Sequence, residues 1–268
     1  MFDCHVHSSF SSDSTLDAVA GCEAAIKAGL DGIAFTDHLD FDFPGYENDF
    51  MIDFEAHGNY MTGLKEKYNG KLKVLKGIEV GIQPGTLERT LAVVNSHEFD
   101  YILGSVHIID GMDPYVGGYY TGKTKEQPYS RYLKEISAML DGFTALDCLA
   151  HLDYIIRCSD YDDSTLRYAD FAEILDEIFK KLSHRGKGME VNTRSYLPRS
   201  NGKKQAEFDI EILKRFRELG GEIVCLGSDS HTAETIGWRF DYFSELIKVA
   251  GFTHAVYFIG HKPVFYKL

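Results

Sequence analysis

Positive charge is in short supply: 28 Lys and Arg stand against 41 Asp and Glu, for a net charge of −13. That excludes broad binding to nucleic-acid backbone, which needs cations against phosphates. An acidic chain can still hold an acidic ligand where bound cations invert the field in one cleft. No apolar run approaches the roughly 20 residues of a membrane-spanning helix, so no membrane partner is expected. Nor does a basic-then-apolar leader open the chain, whose first candidate site residue is already His5. Cysteine is sparse too. Cys4, Cys22, Cys148, Cys158 and Cys225 are odd in number and contain no C-x-x-C pair. They read as core packing in a reducing compartment, which makes the chain a cytoplasmic one. With only 6 Pro there is no Pro/Ser-rich linker. There is also no low-complexity tract and no repeat, and one domain spanning 1–268 is expected.

What is present is enough apolar material for a sizeable core, 44% of 268 residues. One unit recurs: a short β-rich run, a polar or Gly-containing turn, then a helical stretch. The runs are Met1–Val6, Gly32–Thr36, Leu72–Val80, Tyr101–Ile108, Ala145–Leu152, Gly188–Asn192 and Glu222–Ser228. Helices are predicted near Thr15–Ala28, Phe54–Tyr68, Gln127–Leu140, Tyr168–His184, Lys203–Leu219 and Trp238–Ala250. Strand alternating with helix argues for parallel strands joined by crossovers, and runs spread over the whole chain favour an α/β barrel, closed or nearly so. Two further extended segments are expected around Lys262-Pro263, and the Gly- and Tyr-rich stretch Asp110–Lys125 is a candidate substrate loop.

Chemistry in a parallel barrel gathers at the C-terminal ends of the strands. Those ends read Asp3-Cys4-His5-Val6-His7 followed by Asp13, then Thr36-Asp37-His38, Gly77-Ile78-Glu79, Ser105-Val106-His107, Ala150-His151 and Gly227-Ser228-Asp229-Ser230-His231. Six of the eleven histidines fall there. His5 and His7, two apart on a strand, should share a face about 7 Å apart, with Phe2, Cys4 and Val6 turned the other way into apolar packing. Asp229 and His231 repeat the spacing. The set His5, His7, Asp13, His38, Glu79, His107, His151, Asp229 and His231 is too large for one tetrahedral ion. It suffices for two or three divalent transition-metal ions, Zn, Mn or Fe, if Glu79 or Asp229 bridges. The sixth strand offers no ligand at its end. Arg194 lies just beyond it and Arg157 just beyond His151, and guanidinium forks suit phosphate. Tyr119, with Tyr120, and Asp42, with Phe43, are candidates to close over the rest of a substrate. Arg185, Lys187 and Arg199 read as solvated, and His57, His97, His184, His254 and His261 as structural or surface residues.

In this order, from residue 3 to residue 231, the D-x-H-x-H, T-D-H, G-x-E, S-V-H, A-H and G-S-D-S-H segments resemble the PHP (polymerase and histidinol phosphatase) family. The resemblance implies a distorted (β/α)7 TIM-like barrel and a trinuclear metal centre. One metal would take His5, His7, Glu79 and Asp229. A second would share Glu79 and add His107 and His151, and the third would take Asp13, His38 and His231. Asp13 departs from members with a histidine there, though an aspartate can ligate in its place. The segments Gly117–Leu133, His151-Leu152-Asp153, Glu190–Thr193 and Lys262-Pro263-Val264 look like histidinol-phosphate phosphatases. That implies hydrolysis of L-histidinol phosphate to L-histidinol in histidine biosynthesis, by attack of a metal-bound hydroxide on phosphorus. Asp229 or His231 would then supply the proton to the leaving group. The residues alone also admit another small phosphate monoester, a nucleotide or sugar phosphate. An amidohydrolase barrel also begins with H-x-H, but the Glu79 position and the D-S-H ending speak against it. A complete ligand set speaks against a non-catalytic metal-binding module.

Overall fold

Helices start where an aspartate can cap free backbone N–H groups. Asp17 opens α1 (Ala18–Lys27) by accepting from the N–H of Ala20 at 3.1 Å. Asp53 opens α2 (Phe54–Lys67) through Glu55 and Ala56, and Asp209 opens α6 (Ile210–Glu218) through Glu211. The remaining helices are α3 (Leu87–Asn95), α4 (Glu126–Gly142), α5 (Ala172–His184) and α7 (Phe240–Val249). On α5, Leu175, Ile178, Phe179 and Leu182 are buried, the stripe that its apolar spacing predicts. This computed structural model describes residues 1–45, 50–115, 118–198 and 204–268; Gly117, Arg199 and Lys203 lie outside them.

The strands are β1 (Phe2–Val6), β2 (Gly32–Phe35), β3 (His38–Asp40), β4 (Lys73–Gly81), β5 (Tyr101–Ser105), β6 (Cys148–Leu149), β7 (Gly188–Asn192) and β8 (Val224–Gly227). They pair in parallel in the order β1-β2-β4-β5-β6-β7-β8, with β3 also on β4. The ring closes between the ends of β8 and β1. The N–H of Asp229 donates to His5 O at 2.7 Å and that of His7 to Ser230 O at 2.9 Å. This is the α/β barrel expected from the alternation. Two elements were not legible. The three-residue β3 is too short to carry a pattern, and α3 lies inside what reads as a long connection after β4.

Asp3 stitches the same seam. Its carboxylate accepts from the N–H groups of Ser228 (2.9 Å), Gly237 (3.0 Å) and His5 (3.3 Å). Burial pushes its pKa up to about 6 against those hydrogen bonds, which lower it. Asp3→Ala leaves these buried donors without their acceptor, at a cost of about 3 kcal/mol. A loss of unfolding free energy of that size, read from a lowered urea midpoint, is the expected result; an unchanged midpoint would remove Asp3 from the closure.

One feature of β1 corrects the expected facing. Phe2 and Cys4 pack in the barrel interior with Ala34, Leu75, Tyr101, Leu103 and Cys225, whereas Val6 belongs to the outer core under the helices. The register slips between Asp3 and Val6: Asp3 pairs with Ile33 but Val6 with Phe35. A bulge of this kind turns two consecutive residues to one side. The strand therefore supplies apolar floor with Phe2 and Cys4 and polar roof with His5 and His7.

The tail forms the antiparallel hairpin β9 (His254–Ile259) and β10 (Lys262–Lys267). Val256, Tyr257 and Phe258 plug the N-terminal end of the barrel, with Tyr257 stacked on Phe2 at 3.8 Å and Phe258 on Tyr101 at 5.0 Å. Pro263 is tolerated because β10 is an edge strand. With that end sealed, the polar C-terminal end is left open to ligand. No disulfide joins the five cysteines, and Cys4, Cys148 and Cys225 fill the interior as packing. Among the described residues no helix is long and apolar enough to cross a membrane.

Candidate metal centre

Every candidate ligand reaches one place. Glu79, near the end of β4, lies at the middle. Its Oε2 is 3.1 Å from His5 Nε2 and 3.2 Å from His7 Nε2, and its Oε1 is 3.1 Å from His107 Nε2 and 2.6 Å from His151 Nε2. Asp229 Oδ1 is 3.3 Å from His7 Nε2. Asp13 Oδ2 joins His231 Nε2 at 2.9 Å and His38 Nε2 at 3.6 Å. Groups able to hold an ion are His5/His7/Asp229, His5/Glu79/His151, His38/Glu79/His107 and His7/Asp13/His38/His231. Asp229 adopts the left-handed backbone conformation, φ +52°, a strain that aims its side chain back over the barrel mouth.

The donor set fits divalent metals on the tautomers alone. His5 Nδ1 donates to Glu190 (2.7 Å), His107 Nδ1 to Asp40 (2.7 Å), His38 Nδ1 to Asp40 (3.1 Å) and His231 Nδ1 to the carbonyl of Asp229 (2.9 Å). Each partner can only accept, so each Nδ1 carries the proton and each Nε2 presents a bare lone pair. His7 Nδ1 reaches Ser11 Oγ at 3.2 Å, and that hydroxyl donates onward to Asp37. In the neutral rings, lone pairs and carboxylate oxygens thus face one another, an arrangement that draws positive charge into the cluster, as a metal ion or as second ring protons. Electrostatics agree. Burial lowers His5, but Glu190, Glu79 and Asp229 carry it well above the usual imidazole range. Burial also lowers His107, yet Asp40 and Glu79 bring it up to about 9. Burial raises Glu79, and the surrounding imidazoles pull it well below the usual carboxylate range.

Both arginines arrive beside this cluster. Arg157 is buried, with Nη2 2.7 Å from Asp229 Oδ2 and 3.0 Å from Asn192 Oδ1, and its Nε donates to Ser195 Oγ at 3.1 Å. Arg194 Nη1 donates to Asp229 O at 3.0 Å. They line a cleft of about 380 Å³ together with His38, Glu79, His107, His151, Asp229 and His231. Its outer wall is Phe43, Phe50, Tyr115, Tyr154 and Asp113.

Two expected substrate contacts are elsewhere. Tyr119 is buried against Tyr120 and Lys123 and lines a different hollow, with Asp110, Gln127 and Arg131. Asp42 is exposed and paired with Arg89 at 2.7 Å. From the same two segments, Tyr115 lines the cleft in place of Tyr119, and Phe43, expected beside Asp42, lines it as well. The sequence assigned no role to Asp40 or Glu190, and of the histidines expected to be structural or surface residues, His57 is a structural one. His57 is fully buried and bonds Asp37 at 3.1 Å, the carboxylate that holds Ser8 and Ser11. Asp40 is two residues from His38 and Glu190 sits in β7, so a search for acidic residues flanking the histidine runs would have found the first.

The PHP domain family matches residues 3–194. The chain belongs to the PHP family. A probable histidinol-phosphatase of Clostridium acetobutylicum is 36% identical over 242 residues, 90% of each chain. A histidinol-phosphatase of Lactococcus lactis is 33% identical over 261 residues, 97% of this PHP protein and 95% of that one. A crystal structure of histidinol phosphate phosphatase from Lactococcus lactis, complexed with zinc, L-histidinol and phosphate, superimposes with a TM-score of 0.91. It shares 32% identity over 98% of both chains.

Proposed function

We propose that this PHP protein is a metal-dependent histidinol-phosphatase, hydrolysing L-histidinol phosphate to L-histidinol and phosphate as a step of histidine biosynthesis. We read residues 1–268 as one catalytic domain, and five cysteines with no disulfide among them suit the cytoplasm. The observation that carries the reading is a single cleft with two arginines beside a cluster of acceptor-only ligands and an aromatic, acidic wall beyond. It is supported by the Lactococcus lactis protein, whose structure holds zinc, L-histidinol and phosphate.

In this assignment His5, His7, Asp13, His38, Glu79, His107, His151, Asp229 and His231 would hold the ions. When bound, the ions supply positive charge against the phosphate oxygens and lower the pKa of a coordinated water. Arg157 and Arg194 grip the phosphate dianion from the rim, where planar guanidinium groups match its oxygens. Phe43, Phe50, Tyr115 and Tyr154 enclose the flat imidazole end and exclude water from it. Asp113, whose carboxylate accepts from the N–H of Tyr115 at 2.8 Å, offers a counter-charge for the substrate amine. The proton for the leaving alkoxide would come by way of Asp229, or of His231 where its ring is not committed to an ion.

Phosphate release from L-histidinol phosphate, a nucleotide monophosphate and a sugar phosphate tests the reading on one preparation. A preference of about 100-fold or more in kcat/KM for histidinol phosphate is expected, since an unfilled charge or ring site is costly. Equal turnover of all three would leave a general phosphate monoesterase and reject the named substrate.

A further inference from the structure

We infer that Asp40 and Glu190 are positioning residues that lock imidazoles of separate metal sites into one frame, each seated against a glycine. The inference rests on reading the cluster as a metal centre. Neither carboxylate stands in any of the groups able to hold an ion. Asp40 is buried at the end of β3 and uses both oxygens: Oδ2 takes the Nδ1 proton of His38 at 3.1 Å, and Oδ1 that of His107 at 2.7 Å. The far nitrogens of those rings point to different places. His38 Nε2 faces Asp13 at 3.6 Å, and His107 Nε2 faces Glu79 at 3.1 Å and His151 at 3.4 Å. One side chain therefore sets ring rotation and tautomer at two sites at once.

Glu190 repeats the device across the barrel. Its Oε1 takes His5 Nδ1 at 2.7 Å, while Oε2 accepts from the backbone N–H of His151 at 2.7 Å and from Asn192 Nδ2 at 3.1 Å. Between them the two carboxylates tie down ligands of all the proposed sites.

Each is given room by a missing side chain. A Cβ at Gly81 would lie 1.6 Å from Asp40 Oδ1, its register partner on β3, and one at Gly227 would lie 2.0 Å from Glu190 Oε1. Neither glycine has positive φ, so space and not backbone freedom requires it. A methyl at 81 must displace the carboxylate of Asp40 while leaving every proposed ligand chemically intact. Gly227 is less clean, because its Cβ would also meet His5 Cβ at 2.6 Å.

The test measures zinc affinity of the purified protein by competition with a chelator, with elemental analysis, for wild type, Gly81→Ala, Asp40→Ala and the double variant. Each single change is expected to weaken zinc binding about 10- to 100-fold. The double variant should bind no worse than Asp40→Ala, since no carboxylate remains for the methyl to displace. Asp40→Asn, which keeps the volume but turns an NH2 toward one ring, should show the same loss if Gly81→Ala fails to fold. Affinities within about 2-fold of wild type in the folded single variants, or losses that add in the double, would overturn the inference. Wild-type protein that takes up no divalent ion would overturn the metal-centre reading itself, and the inference with it.

Discussion

Glu79→Gln is expected to abolish phosphate release, by about 10⁴-fold in kcat, and to strip metal from the protein as purified. The carboxylate is buried and within 3.2 Å of the Nε2 atoms of His5, His7, His107 and His151. An amide has the same shape but half the acceptor capacity and no charge, and its NH2 would point at a lone pair. Losing the charge stabilisation that metals give the transition state is worth several kcal/mol, and each 1.36 kcal/mol is a factor of ten. Elemental analysis beside a steady-state assay reads both effects. A folded Glu79→Gln variant with full metal and more than about a tenth of the activity would remove Glu79 from the centre of the site.

The arginines should separate. Arg157→Ala is expected to lower kcat/KM by about 10³-fold, with a loss in kcat as well as a rise in KM. Arg157 does two things that Arg194 does not: it neutralises Asp229 Oδ2 at 2.7 Å, and it is braced by Asn192 and Ser195. Burial raises Asp229, but Arg157 and His5 hold it well below the usual carboxylate range, so removing the arginine alters a proposed ligand as well as a phosphate contact. Among the described residues the Arg194 guanidinium donates to the carbonyl of Asp229 and pairs with no carboxylate, so Arg194→Ala should raise KM strongly while kcat and metal content stay near wild type. Loss of metal in Arg194→Ala, or equal kinetics for the two variants, would count against this division of labour.

The positions of the proposed ligands could be read because a parallel barrel delivers whatever its strand ends carry to one rim. His5, His38, Glu79, His107, His151 and Asp229 follow or close strands in the written order, and short-range spacing suffices to place them there. The substrate wall was read only at the level of segments. The loop after β5 and the turn after β3 were identified, but which side chain of each turns inward depends on loop packing, which has no period. Hence Tyr119 was expected where Tyr115 stands, and of the expected pair Asp42 and Phe43 only Phe43 lines the cleft. The facing along β1 failed for a related reason: alternation predicts one face for Phe2, Cys4 and Val6, and a bulge breaks it between Asp3 and Val6.

By itself the sequence determined the barrel, the set of acceptor side chains at its rim and the two guanidinium groups beside them, because each follows from periodicity and order along the chain. Only the tertiary structure decided which carboxylates meet imidazole Nε2 and which meet imidazole Nδ1. Asp40 and Glu190 look no different from Asp13 or Glu79 in sequence. What separates them is the neighbouring strand, where Gly81 and Gly227 leave space for a carboxylate behind the rings.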